Sequence, residues 1–324
     1  MCTAISLNTK AHYFGRNLDL EYSYDETVTI TPRNYKFTFQ KAGEMAVHYA
    51  MIGVAYVVDD YPLYYDATNE KGLSMAGLNF PGNAFYQLEK EGADNISTFE
   101  FIPWILGQCA TVPQAKELLA RVNLIRTSFK EDFPVASLHW MITDRDSSIT
   151  VEPMEEGLRV YDNPVGVLTN NPPFEYQMFQ LNNYMSLTSK EPENHFSREL
   201  SLECYCQGMG AMGLPGDLSS MSRFVRAAFV KLNSVSGESE EESISQFFHI
   251  LGAVEQQRGC VCTRNGAYDI TVYSSCCNTD KGIYYYTTYE NRQITGVDMH
   301  KENLEGSGLV SYPLIEQQQV YMQN

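Results

Sequence analysis

Segments in which apolar and polar residues alternate constrain the fold of this chain more than any other feature, because a period of two is typical of half-buried β-strands. Residues 139–152 predict two strands around an Asp-Arg-Asp-Ser turn, and residues 160–172 predict two short strands broken at Asn163-Pro164. Residues 268–276, 282–290 and 293–299, rich in aromatic and β-branched side chains, predict a meander. Such runs of neighbouring strands favour antiparallel sheets.

Other segments have helical spacing. A capping box at Thr111, Pro113 and Gln114 predicts a helix whose apolar stripe runs to Val122. A second stripe spans residues 219–232, and a third spans 240–258, with three glutamates in its first turn and Gly259 as its end. Helices grouped between antiparallel strands indicate α+β layers. No segment divides the chain, so we expect one domain over residues 1–324.

The net charge restricts the partners. With 23 Lys and Arg against 40 Asp and Glu, the formal charge is −17, which disfavours nucleic acid and anionic membranes. An anionic substrate therefore needs local cations. The start, MCTAISLNTK, does not have the pattern of a secretory signal, and no run of about 18 apolar residues predicts a membrane span. We expect a cytoplasmic protein.

The pattern of cysteines and histidines predicts no metal site. The eight cysteines are expected to be reduced thiols, and the pairs Cys204/Cys206, Cys260/Cys262 and Cys276/Cys277 lack the C-x₂₋₄-C spacing of zinc ligands. His139 and His249 lie in apolar segments and are expected to be core residues. No dinucleotide or Walker motif is present, so no cofactor is expected.

Cys2 is the first candidate for chemistry. If Met1 is removed, the carbon that bears the thiol also bears a free α-amine, whose reference pKa of ~7.7–8 suits a base near neutrality. Nucleophile and base then belong to one residue. The alternative is an incidental cysteine at the second position.

Four polar side chains can act with Cys2, each with a structural alternative. A strand that turns back after residue 8 brings Arg16 and Asp19 beside the thiol, unless they form a surface ion pair. Asn79 and Asn170 suit either an Asx turn or an oxyanion site.

Arg223 lies in the first turn of its predicted helix, opposite the apolar stripe and against the helix dipole. That mismatch indicates a function, although an ion pair with Asp217 would also explain it.

Motifs along the whole chain resemble the choloylglycine hydrolase family, which contains bile salt hydrolases and penicillin V acylases. The matching stretches, in order, are MCTAISL, FGRNLDLEYS, PRN (32–34), NEKGLSMAGLNFPG, LHWMITD, GVLTNNPPFEY, GLPGDLSSMSRFVR and KGIYYYTTYENRQITGVDM. The resemblance implies the αββα sandwich of N-terminal-nucleophile hydrolases, in which two stacked antiparallel sheets lie between helical layers, and it implies a homotetramer without a cofactor.

The resemblance also assigns roles. It implies that Cys2 is the nucleophile, that Arg16 and Asp19 flank it, that Asn79 and Asn170 occupy oxyanion and substrate-contact positions, and that Arg223 is a second catalytic arginine. It places Leu18, Val58 and Tyr65 in an apolar pocket. The implied reaction is hydrolysis of glycine- or taurine-conjugated bile acids. The alternatives are a penicillin V acylase and a non-catalytic bile-salt-binding protein. We further hypothesise that the loop 207–210 contacts the leaving group.

Overall fold

The alternating segments form two large antiparallel sheets in the computed structural model, which describes residues 1–324. The first nine strands are β1 (Cys2–Asn8), β2 (His12–Leu20), β3 (Thr27–Thr31), β4 (Phe37–Phe39), β5 (Gly43–Met45), β6 (Met51–Val58), β7 (Tyr61–Asn69), β8 (Ser74–Asn79) and β9 (Asp94–Ser97). The other nine are β10 (Val122–Ile125), β11 (Leu138–Thr143), β12 (Ser148–Met154), β13 (Gly157–Asp162), β14 (Val167–Leu168), β15 (Ile270–Asn278), β16 (Ile283–Thr288), β17 (Thr295–Asp298) and β18 (Val310–Pro313).

Five α-helices complete the fold. They are α1 (Phe101–Gln108), α2 (Val112–Leu119), α3 (Phe174–Gln180), α4 (Ser220–Asn233) and α5 (Glu240–Gly252). No helix is long and apolar enough to cross a membrane.

The sheets stack between the helices. One sheet has the order β14-β1-β2-β15-β16-β17, and the other has the order β13-β12-β11-β8-β7-β6-β3-β18. Helices α4 and α5 pack on the six-stranded sheet, and α1 packs on the eight-stranded sheet. One apolar core fills the space between the sheets and extends to α4 and α5, while a second lies between the eight-stranded sheet and α1 and α2. The predicted αββα architecture is confirmed.

Three details of the helix predictions are wrong. Val122 begins β10, because the helix at 112 ends at Leu119. Helix α5 ends at Gly252, and Gly259 lies in a later turn at a φ of 92°. Gln114 bonds to the N–H of Ala110 rather than to that of Thr111, so only half of the expected capping box forms. A full capping box joins Ser239 to Glu242 at the start of α5.

Gly15 sets the distance between the strand that carries Arg16 and its neighbour β15. A Cβ at this position would lie 1.9 Å from the carbonyl oxygen of Ser275. Only glycine allows two backbones to approach so closely. The glycine of the Phe14-Gly15-Arg16 motif therefore fixes the strand beside Cys2.

His12 makes the fold sensitive to acid. It is buried between the hydroxyls of Ser6 and Thr279, at 3.0 and 2.8 Å, and burial lowers its pKa from 6.5 to about 4. The unfolded chain binds the proton of His12 more tightly than the folded protein does. The contribution of neutral His12 to the free energy of unfolding is therefore fully present above pH ~6.5 and is lost as the pH falls towards 4, by up to about 3 kcal/mol. Denaturant unfolding of the wild type and His12→Gln measures this. The substitution should flatten the pH dependence of the free energy of unfolding between pH 7 and 4.5. If this free energy falls equally steeply with pH in both proteins, His12 is not the cause.

Candidate active site

The hairpin of β1 and β2 brings Cys2 next to the residues expected to flank it. In the antiparallel register, Cys2 pairs with Leu18 and Ala4 pairs with Arg16. The backbone N–H of Asp19 donates to the carbonyl of Met1 at 2.8 Å. Cys2 is 2% exposed, and Arg16 and Asp19 are fully buried. They are therefore not the surface ion pair considered as the alternative.

Arg16 supplies a buried positive charge beside Cys2. Its Nη1 donates to the carbonyls of Tyr65 and Gly77, at 2.9 and 2.6 Å, while Nε and Nη2 have no partner. Burial lowers the pKa of Arg16, but the charges of Cys2, Tyr273 and Asp66 outweigh it, and the net pKa is raised. The guanidinium stays charged, and two of its nitrogens have no protein acceptor.

Arg223 and Asp19 form a second charged pair at the site. Arg223 Nη1 lies 4.0 Å from Asp19 Oδ2 and donates to the carbonyl of Cys2 and to Thr3 Oγ1, at 2.6 Å each. Burial raises the pKa of Asp19, and Arg223 opposes that rise; burial also lowers the pKa of Arg223, and Asp19 opposes that fall.

Two expectations for Arg223 are therefore corrected. Its side chain is fully buried rather than opposite the packed face of its helix. Asp217 does not pair with it; Asp217 accepts hydrogen bonds from Ser219 and Ser222 instead.

Asn170 lies at the centre of the hydrogen-bond network. Its Oδ1 accepts from the backbone N–H of Cys2 and from Arg223 Nη2, at 2.8 Å each. Its Nδ2 donates to the carbonyl of Asn79 at 2.8 Å. In this arrangement Asn170 orients the nitrogen of Cys2 directly.

Asn79 is the last residue of β8 rather than part of a turn, and it is exposed. Its carbonyl accepts from Asn170, and its side-chain amide makes no hydrogen bond within the chain. The amide of Asn79 thus remains available to a ligand at this site, as do two nitrogens of Arg16.

A cavity of about 480 Å³ opens beside Cys2. Most of its walls are apolar or aromatic, and Arg16 and Asp132 are the only charged residues that line it. Of the residues predicted for substrate binding, Cys2, Arg16, Leu18, Tyr65 and Asn79 line it. Volume and lining are those of a site for an apolar small molecule.

Val58 does not line this cavity, although the family resemblance placed it there. It ends β6, and Tyr56, two residues earlier in the same strand, lines the wall instead.

A smaller cavity of about 280 Å³ shares Asn79 with the first. Met1, Asp19 and Asp269 also line it, and the amino group of Met1 lies 2.9 Å from Asp269 Oδ2. The loop 207–210 lines neither cavity. The two cavities share Leu20, Tyr24 and Asn79.

Sequence reasoning missed several residues that hold the site. Thr271 donates to Asp19 Oδ1 at 2.7 Å, Ser220 Oγ accepts from the N–H of Asn170 at 2.8 Å, and Gln177 donates to the carbonyl of Asn170. Asp269 and Thr271 lie in a segment read only as a strand, so alternation gave no signal for their contacts. Ser220 and Gln177 stand near recognised motifs, but only the fold shows their partners.

Comparison with known proteins places this site in a family. A model of linear amide C–N hydrolases, choloylglycine hydrolase family, matches residues 2–312. A bile salt hydrolase/transferase of Lactiplantibacillus plantarum is 54% identical over the whole of both chains. A conjugated bile acid hydrolase of Lactobacillus gasseri is 34% identical over 96% of this chain and 100% of its own.

Two solved structures are similar to this chain over most of its length. A mutant of the conjugated bile acid hydrolase from Clostridium perfringens superposes with a TM-score of 0.93 at 40% identity, covering all of both chains. Penicillin V acylase from Agrobacterium tumefaciens has a TM-score of 0.76 at 19% identity, covering 96% of this chain and 90% of its own, and shares the fold. The family match, the full-length relatives and the superposition together show that this chain belongs to the choloylglycine hydrolase family of linear amide C–N hydrolases.

Proposed function

We propose that this protein is a bile salt hydrolase that cleaves the amide of glycine- or taurine-conjugated bile acids. The observation that carries the proposal is the position of Cys2. It lines an apolar cavity in which Arg16 is the only cation, and that cavity shares Asn79 with a smaller polar cavity. A steroid body suits the first cavity, and Arg16 supplies the cation that an anionic conjugate needs. The names of the full-length relatives support the same substrate class.

The reaction begins with excision of Met1, which frees the α-amine of Cys2. That amine takes the thiol proton, and the thiolate, beside Arg16, attacks the amide carbonyl. The S–C bond forms, the oxyanion takes a hydrogen bond from Asn79, and the C–N bond then breaks. The leaving amine receives the proton from the α-ammonium. Loss of one oxyanion donor typically costs ~3 kcal/mol in activation energy.

Water then attacks the thioester, with the α-amine as base, and releases the free bile acid and the Cys2 thiol. Asn170 and Arg223 hold the Cys2 backbone during both steps, and Asp19 balances the charge of Arg223. An amine in place of water would give acyl transfer, in line with the word transferase in the name of the Lactiplantibacillus plantarum relative. No step requires a cofactor.

A substrate comparison tests the proposed activity. The kcat/KM for taurocholate should exceed that for penicillin V by at least about tenfold, or ~1.4 kcal/mol. The reverse order would make the protein a penicillin V acylase, and turnover of neither would favour the non-catalytic binding protein. Asn79 in GLNFP supports the bile salt branch by resemblance.

Alkylation of the thiols tests which cysteine reacts. Burial raises the pKa of Cys109 to about 11 and that of Cys276 well above its usual value, so both should be inert. Iodoacetamide should abolish activity in step with modification of Cys2. Taurocholate in the cavity should slow this modification. Peptide mapping checks this. Activity lost in step with the exposed Cys206 or Cys260, while Cys2 is unmodified, would identify a different essential thiol.

The assembly state is a separate part of the proposal. The segment from 176 to 212 exposes Phe179, Met185, Phe196 and Tyr205, each at least 75% accessible. Exposed apolar side chains gathered in one segment are typical of an interface. They support the homotetramer implied by the family, which light scattering measures directly. The cytoplasmic location remains a prediction.

A further inference from the structure

We propose that His139 is a positioning residue that fixes the geometry of Asn79 and Asn170 for the reaction. This inference rests on the proposed hydrolase and goes beyond it, because His139 touches no substrate cavity. The sequence suggested only a core histidine, and the structure buries it fully. Its counterpart in that prediction, His249, is exposed on α5 instead.

His139 lies on the side of β11 that faces away from the large cavity. Its neighbours Leu138 and Trp140 line the cavity, and His139 does not. Alternate residues of a strand point to opposite faces. A substitution at His139 therefore leaves the substrate-binding walls in place.

The ring of His139 contacts the residue next to each asparagine. It stacks on Phe80, which follows Asn79, with ring centres 4.3 Å apart and planes inclined by 5°. Its Nε2 lies 2.8 Å from the carbonyl oxygen of Thr169, which precedes Asn170. The bond from Asn170 Nδ2 to the carbonyl of Asn79 closes the loop of contacts. One side chain thus joins the two backbone segments on which the oxyanion and Cys2 contacts depend.

Glu152 fixes the orientation of the ring. Its Oε1 lies 3.0 Å from His139 Nδ1 and also accepts from the N–H of Phe174 at 2.9 Å. Each ring nitrogen thus lies within hydrogen-bond distance of an oxygen, Nδ1 of Glu152 Oε1 and Nε2 of the carbonyl of Thr169. Both hydrogen bonds together with the stacking leave the imidazole a single orientation.

Two substitutions separate positioning from simple core packing. The terminal amide of His139→Gln can reach the place of Nε2 and keep the bond to Thr169, whereas His139→Asn keeps only a donor near Nδ1. We expect kcat to fall about tenfold or more in His139→Asn and to stay within about threefold of wild type in His139→Gln, with KM within about twofold in both. His249→Asn is the matched control and should change neither constant. Circular dichroism confirms that each variant is folded.

A histidine that only fills the core would lower stability and leave the kcat of folded enzyme unchanged. A wild-type kcat in folded His139→Asn would therefore overturn the proposal. So would a fall in His139→Gln equal to that in His139→Asn, or a KM that rises together with the loss of kcat.

If His139→Asn does not fold, Phe80→Leu gives the same test, because it removes the stacking and keeps an apolar side chain outside the cavity. We expect its kcat to fall about fivefold at constant KM, and an unchanged kcat would overturn the proposal. Wild-type turnover of taurocholate tests the hydrolase separately. If the enzyme prefers another linear amide, such as penicillin V, the same ratios are measured with that substrate.

Discussion

Replacing Cys2 by alanine is expected to lower kcat for taurocholate by at least about a thousandfold, the scale of loss when a catalytic nucleophile is removed. No other thiol lines the cavity that contains Cys2. Alanine fits the buried position in β1 and leaves the contacts of the Cys2 backbone with Asn170 and Arg223 available. Steady-state kinetics measures the fall in kcat, and circular dichroism checks that the variant keeps its fold.

Two further variants serve as controls for Cys2→Ala. Cys109→Ala removes another buried thiol, from the other core, and should keep wild-type kcat. Cys2→Ser should lose most activity, because a hydroxyl is a weaker nucleophile near neutral pH. Substantial turnover by folded Cys2→Ala would end the assignment of Cys2 as the nucleophile.

Retention of Met1 is expected to cause a loss of similar size, at least about a thousandfold in kcat. With Met1 in place, the nitrogen of Cys2 is an amide that donates to Asn170, and it has no basic lone pair. The Met1 residue also lines the smaller cavity, where its amino group bonds to the carbonyl of Asp19 at 2.6 Å and pairs with Asp269. Retained Met1 thus removes the free α-amine that is proposed as the base.

Expression with methionine aminopeptidase inhibited provides the protein for this test. The intact mass gives the fraction of chains that keep Met1, and the specific activity should fall in proportion to it. Chains made without the inhibitor are the control. A homogeneous Met1-containing preparation with normal turnover would mean that another group acts as base.

Sequence patterns predicted the structure correctly where the contacting residues are close in sequence. We expected Arg16 and Asp19 beside Cys2 if the short apolar strand at residues 3–8 turns back, and the structure has this hairpin. The two strands predicted in each of the segments 139–152 and 160–172 also form, although β13 and β14 belong to different sheets. The layered fold came from the grouping of strands and helices, with its αββα form implied by the family resemblance.

Arg223 shows where pattern reasoning fails. Helical periodicity assigns a charged residue to the solvent face, because burying an unpaired cation costs several kcal/mol. Here the cost is offset by the carbonyl of Cys2, Thr3 and Asn170, which are distant in sequence. The prediction for Val58, which the family resemblance implied, was wrong for a different reason. Val58 lies on the same face of β6 as Tyr56 but at the end of the strand, beyond the residues that line the cavity.

The most direct test of the account is to locate the covalent intermediate. Enzyme mixed with excess taurocholate is quenched in acid within the first turnover, digested and mapped by mass spectrometry. The account predicts a cholyl group on the peptide that begins with Cys2, without Met1, and its release by neutral hydroxylamine as expected for a thioester. A cholyl group on any other residue, or on a Cys2 peptide that still carries Met1, would contradict it.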